Sequence, residues 1–303
     1  AAPADTKVFC TGKYTAVTAK IELERCTTKP SLSNPPPKPL LLVSPSEAGD
    51  YPVLVFLHGY LSYNTFYSQL LKHIASHGFI VVAPQISLLI TVGIGAISLY
   101  SLAGPDATAE IQSTVAETNW LPDGLDDSLP PDVHPNLSRL ALSGHSRGGK
   151  AAFSLLLKKV PKSATSLKFS ALIGVDPVDG MDKGKQTPPP VLSYIPRSFD
   201  LHMPVLVIGS GLGVNHEDFF SECRKPACHL VARDFGHVDM LMMILRGSGQ
   251  RPVISREPMR RFVGGIIVAF LRAYLEGNSS DLMAIRDRHE LAPLELQEVE
   301  FLL

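Results

Sequence analysis

The stretch Gly144-His145-Ser146-Arg147-Gly148 decides how this chain is read. Before it runs Ser138-Arg139-Leu140-Ala141-Leu142-Ser143, short and mostly apolar, with the turn formers Pro135-Asn136 in front. After it runs Lys150-Ala151-Ala152-Phe153-Ser154-Leu155-Leu156-Leu157, rich in good helix formers. Strand, G-x-S-x-G and helix in that order form the context of a nucleophile elbow. There a serine is held in a strained backbone conformation, and glycines let strand and helix approach. Ser146 is therefore the candidate nucleophile.

Outward from the elbow, buried strands alternate with helices. Val53-Leu54-Val55-Phe56-Leu57, Phe79-Ile80-Val81-Val82-Ala83, residues 169–175, Val205-Leu206-Val207-Ile208 and His229-Leu230-Val231-Ala232-Arg233 are apolar runs of strand length, the last read as the final strand. A helix capped by Asn64 or Thr65 carries Phe66, Leu70, Leu71 and Ile74 on one face and stops at Gly78. Pro105 at the first helical position opens another, to about Trp120, and an acidic loop with Asp123, Asp126, Asp127 and Asp132 follows. Pro258 opens a long one through Phe262, Ile266, Ile267, Phe270 and Leu271 to Gly277. Such alternation implies a mostly parallel sheet covered by helices on both faces.

Residues 14–24 alternate in part and read as an edge strand or hairpin, and the five prolines in residues 30–39 make an extended connection. There is no internal repeat and no clear linker. Residues 1–303 are read as a single domain, with 1–39 as an N-terminal strand and proline-rich segment and 86–103 as an apolar insertion and candidate lid.

With 303 residues, 45% of them hydrophobic, the chain can fill one large α/β core or two small ones. A net charge of −1 offers no basic stripe, so a nucleic-acid partner is not expected. A mean hydropathy of +0.13 points to an apolar ligand or surface. Four cysteines, Cys10, Cys26, Cys223 and Cys228, are too few for a disulfide framework and read as free or locally paired thiols. Cys223 and Cys228 with His216 and His229 make a poor zinc set, since the cysteine spacing is loose and no second pair follows. No metal and no cofactor are expected. No charged n-region followed by an apolar h-region opens the sequence, so it is not read as carrying a secretory signal.

In such a sheet the functional groups sit on loops after the carboxyl ends of the strands. A serine hydroxyl needs a general base beside it, and the base needs a carboxylate to orient it. His237 follows the final apolar run on a Phe-Gly turn and is the candidate base, with His216 in reserve; His145 is read as packing. For the acid, Asp176 ends residues 169–175 directly before Pro177 and is favoured over Asp179, Glu217 and Asp218. The order Ser146, Asp176, His237 is that of an α/β-hydrolase fold. Two backbone N–H groups must face the developing negative charge. Arg147, after the nucleophile, and Tyr60, after His58-Gly59, are the candidates, while the Arg147 guanidinium is read as an ion pair that props the elbow.

Residues 86–103 run 18 positions without a charge, a borderline length for a membrane span. Gly93 and Gly95, three serines and the lack of close flanking Lys or Arg argue against one. So does the position between a core strand and the next helix. The segment reads as an active-site flap, with Ile86, Leu88, Leu89 and Ile90 meeting substrate and a peripheral contact with a membrane.

Beyond the elbow, longer blocks carry a specific likeness. Gly144-His145-Ser146-Arg147-Gly148-Gly149-Lys150, Ser76-His77-Gly78-Phe79-Ile80-Val81-Val82-Ala83-Pro84, residues 169–177, Gly236-His237-Val238-Asp239-Met240-Leu241 and Met259-Arg260-Arg261-Phe262-Val263-Gly264-Gly265-Ile266 all resemble the plant chlorophyllases. The resemblance covers most of residues 36–277. It implies chlorophyll as substrate, hydrolysis of its phytyl ester to chlorophyllide and phytol, a triad of Ser146, Asp176 and His237, and a chloroplast location. The chain departs from that pattern in the 86–103 insertion, in a shorter stretch at 213–215 without a cysteine, and in 242–257, also without cysteines. From the residues alone the reading reaches a serine esterase or lipase with an apolar substrate. A generalist lipase or cutinase-like esterase, and a non-catalytic tetrapyrrole-binding protein, are the competing readings.

Overall fold

The computed structural model describes residues 6–23, 34–87, 106–161, 164–241 and 256–303. The apolar runs build strands β1 (Ala16–Ile21), β2 (Leu40–Pro45), β3 (Gly49–Leu57), β4 (Ile80–Pro84), β5 (Val133–His145), β6 (Ala171–Val175), β7 (Val205–Ser210), β8 (Ala227–Ala232) and β9 (Leu296–Leu302). All nine join one sheet in the order β1-β2-β4-β3-β5-β6-β7-β8-β9. The six from β4 to β8 are parallel, while β1, β2 and β9 run antiparallel to their neighbours.

Because successive side chains leave a strand on opposite faces, β3 feeds two cores. Leu54 and Phe56 point to the side covered by α1 (Ser68–Ala75), α5 (Glu257–Leu275) and α6 (Ser280–Asp287), where they share a cluster with Ile74, Phe262 and Ile266. Val53, Val55 and Leu57 point to the side covered by α2 (Thr108–Gly124), α3 (Arg147–Leu156) and α4 (His216–Glu222), with Ile111, Phe153 and Phe219. Burial on both faces explains why the central strands are continuous apolar runs.

Several boundaries differ from the sequence reading. His229 does not lie on the last strand: β9 pairs antiparallel with β8 and closes that edge. The helix read from Pro105 starts at Thr108 and continues past Trp120 to Gly124, with Pro122 inside its last turn; Pro105 itself lies outside the described residues. Asn64 caps nothing. Its side chain turns to the Ala83 carbonyl at 2.8 Å, and residues 64–67 form a short 3₁₀ turn ahead of α1. β5 begins before Pro135 rather than after it, paired with β3 through a register shift between Pro52 and Val53.

Candidate active site

β5 ends at His145 and α3 begins at Arg147, so Ser146 alone makes the turn. Its φ of 56° and ψ of −122° are strained for a residue with a side chain, at a cost of about 1–3 kcal/mol. The surroundings hold it there. Its N–H donates to the Val175 carbonyl at 3.0 Å, and its carbonyl accepts from Lys150 and Val178 at 3.1 Å each. The turn also needs bare glycine at its flanks: a Cβ on Gly144 would stand 2.2 Å from the Gly148 carbonyl carbon, and one on Gly148 2.3 Å from the Leu57 oxygen.

Asp176 ends the neighbouring strand β6, and His237 stands on the loop after β8. His237 Nδ1 lies 2.6 Å from Asp176 Oδ2, and His237 Nε2 lies 2.7 Å from Ser146 Oγ. Burial alone would raise the Asp176 carboxyl, but the bond and charge of His237 and the Ser210 hydroxyl outweigh it, and the net shift is downward. A carboxylate only accepts hydrogen bonds, so Nδ1 carries the ring proton and Nε2 is left bare to accept from the serine. The three side chains thus form a chain able to take the Ser146 proton as its oxygen attacks.

The competing residues stand outside the Ser146–His237–Asp176 chain. Asp179 is fully buried in an ion pair with Lys150 Nζ at 2.8 Å, and its other oxygen accepts the N–H groups of Val191 and Leu192. Glu217 and Asp218 lie in the first turn of α4. His216 Nδ1 sits 3.0 Å from His229 Nε2. Arg147 forms a forked ion pair with Glu110 of α2, at 2.9 and 3.1 Å, and stacks at 4.9 Å on the Tyr60 ring. The Tyr60 loop meets the nucleophile, since a Cβ on Gly59 would lie 3.2 Å from Ser146 Cβ. Ile86 is buried in the core with Leu40, Leu42 and Val82. Leu88, Leu89 and Ile90, with nearly all of the insertion, lie outside the described residues, as does Cys26. Cys10, Cys223 and Cys228 are free thiols, and burial pushes Cys228 up to about 12.

Three polar residues at the site were not singled out by the sequence. Ser210 ends β7 and donates its hydroxyl to Asp176 Oδ2 at 2.6 Å, with its N–H at 3.3 Å from Oδ1. It supports the acid from the neighbouring strand. His58 is driven down to about 4 by burial and stays neutral. Its Nδ1–H donates to the Gly59 carbonyl at 2.7 Å and its Nε2 accepts the Ile86 N–H at 3.1 Å, pinning the loop that carries Tyr60. Tyr67 is wholly buried and touches His145. His145 is more than packing: its Nε2 lies 2.8 Å from the carbonyl of His237.

A mostly parallel sheet with a serine elbow after β5, a carboxylate after β6 and a histidine after β8 defines an α/β-hydrolase. Within that class the chain belongs to the chlorophyllase family, whose family model matches residues 4–303. It is 50% identical to "Chlorophyllase-2" of Arabidopsis thaliana, over 97% of each chain. It is 40% identical to "Chlorophyllase-1, chloroplastic" of Citrus unshiu, over 99% of this chain and 90% of that one. It is also 40% identical to "Chlorophyllase-1" of Arabidopsis thaliana, over 87% and 84%. Among the described residues no helix is long and apolar enough to cross a membrane.

Proposed function

We propose that this chain is a serine carboxylesterase that removes phytol from chlorophyll. Full-length identity of 40–50% to proteins named chlorophyllase carries the choice of substrate. The unbroken Ser146–His237–Asp176 chain, at 2.7 and 2.6 Å, supports the chemistry. In the first half-reaction Ser146 Oγ attacks the ester carbonyl and His237 Nε2 takes its proton. The backbone N–H groups of Tyr60 and Arg147 face the oxyanion, each worth roughly 3 kcal/mol in such a site. His237 then gives the proton to the departing phytol oxygen. In the second half a water, deprotonated by the same nitrogen, attacks the acyl-enzyme, His237 returns that proton to the departing Ser146 Oγ as chlorophyllide is released, and Asp176 stays ionised throughout.

Leu212 and Val214, 67% and 56% exposed, flank Gly213, where a Cβ would stand 2.3 Å from Asp176 Oδ1. Apolar side chains left in water at the rim of the triad support an apolar substrate and a peripheral contact with the lipid that holds it. One sheet built from residues 16 to 302 supports a single catalytic domain. The printed name of the Citrus unshiu relative supports a chloroplast location. The deciding experiment is incubation with chlorophyll a, followed by phase partition. Chlorophyllide should appear in the polar phase with wild-type protein and not with Ser146→Ala. A higher kcat/KM on a short p-nitrophenyl ester than on the phytyl ester would give the protein to the generalist esterases. Pigment binding without turnover or fluorophosphonate labelling would make it a binding protein.

A further inference from the structure

We propose that Tyr67 and His145 form a buried positioning relay that locks the backbone of His237 to the backbone of the Gly59–Tyr60 loop, so that base and oxyanion donors are held in register across the nucleophile. The inference rests on the triad reading given above and adds two residues to it.

The links are short and continuous. His145 Nε2 lies 2.8 Å from the His237 carbonyl oxygen, His145 Nδ1 lies 2.7 Å from Tyr67 Oη, and the Gly59 N–H reaches Tyr67 Oη at 3.0 Å. Each link has one possible direction. A carbonyl can only accept, so His145 Nε2 must carry the proton. Burial and the neighbouring His237 drive His145 down to about 3, so the ring is neutral and Nδ1 is bare. Nδ1 must then accept from the Tyr67 hydroxyl, which burial holds in its protonated form by raising it. The remaining Tyr67 lone pair accepts from Gly59. The His145 ring also packs against the His237 ring, with centroids 4.7 Å apart.

Neither residue touches the reacting atoms, so both act by position. His237 sits on a loop, and its own side chain makes only the two triad bonds among those described. Among the described hydrogen bonds, that from His145 is what joins its carbonyl to the nucleophile's strand. Because His145 is the residue before Ser146, the relay ties the base directly to the elbow. Misplacement of catalytic groups by about 1 Å costs on the order of 100-fold in rate.

The test compares Tyr67→Phe, His145→Leu and His145→Gln on the phytyl ester, with thermal midpoints measured alongside. Gln can donate its amide to the His237 carbonyl and accept from Tyr67, whereas Leu can do neither. Expected are a fall in kcat of about 10–100-fold for Tyr67→Phe and His145→Leu with KM within about threefold. Also expected are recovery of most of kcat in His145→Gln, and a Tyr67→Phe/His145→Leu double variant no slower than His145→Leu. If His145→Leu does not fold, Tyr67→Phe and His145→Gln carry the comparison. Turnover within twofold of wild type in Tyr67→Phe, or a Gln variant no better than Leu, overturns the relay. Ser146→Ala separates the two readings: if it remains active, the triad itself falls. If it is dead while Tyr67→Phe matches wild type, only the relay falls.

Discussion

At the scale of single residues, the strained Ser146 is held by three backbone bonds, and its hydroxyl can be deleted without touching them. Ser146→Ala should therefore keep its thermal midpoint and its binding of pigment while turnover falls below about a thousandth of wild type. Retained turnover above that level would remove Ser146 from the role of nucleophile. Asp176 accepts from His237 and twice from Ser210, so Asp176→Asn places an amide where only an acceptor fits and disfavours the Nδ1–H tautomer. A loss of roughly ten-thousand-fold in kcat is expected there. Glu217→Gln and Asp218→Asn, on α4, should be close to wild type; the reverse order would move the acid to the later loop. The hydrogen-bonded set of Ser146, His237 and Asp176 was legible in the sequence because each member follows a strong apolar strand. Ser210, His58 and Tyr67 were not, since a polar residue beside a strand end says nothing about which loop it will face. His145, read as packing, is buried, and its hydrogen bond to the His237 carbonyl could not be read because that partner lies 92 positions away.

Elements carry charges that the sequence shows only as composition. α3 enters the core bearing Lys150, whose ammonium is fully buried against Asp179 and is also within hydrogen-bond reach of both Thr187 oxygens. Lys150→Met leaves the Asp179 charge buried and should cost about 3–5 kcal/mol in chemical unfolding. Adding Asp179→Leu should not restore the loss, because Val191 and Leu192 N–H would then have no acceptor. Full recovery in the double variant would show that those N–H groups find other partners. On α2, burial outweighs the Lys38 contribution and lifts the Glu117 carboxyl to about 8. A carboxyl raised on folding holds its proton more tightly in the native state, so its ionisation opposes folding. Relative to Glu117→Gln, the wild type should lose stability steadily from about pH 4.5, the ordinary glutamate value, up to about 8. Parallel pH profiles of the thermal midpoint for the two proteins would contradict this.

Across the whole molecule, the parallel centre and the β1 edge were legible, and the antiparallel strands β2 and β9 were not. Strands buried on both faces must be apolar throughout and announce themselves. β9, Leu296-Gln297-Glu298-Val299-Glu300-Phe301-Leu302, has two glutamates and residues only partly buried, and lacks the continuous apolar run that marks the central strands. Its partner is β8, the strand that leads into the His237 loop, and the pairing continues past it: the Arg233 N–H donates to the Glu295 carbonyl at 2.9 Å. Val299 and Phe301 pack against the core on the side of α5 and α6. Ending the chain after Pro293 should thus do two things at once. It leaves the N–H and C=O groups along β8 unpaired, an edge prone to join another chain. It also loosens the start of the loop that aims His237. The truncated protein should run as aggregates in size-exclusion chromatography, and its soluble remainder should lose turnover on phytyl and p-nitrophenyl esters in equal proportion. Equal loss is the informative part, because it separates a displaced base from a damaged substrate surface: Leu212→Ser with Val214→Ser should spare the short ester and not the phytyl one. A truncated chain that stays monomeric with wild-type turnover would show that β8 and its loop hold their place without β9.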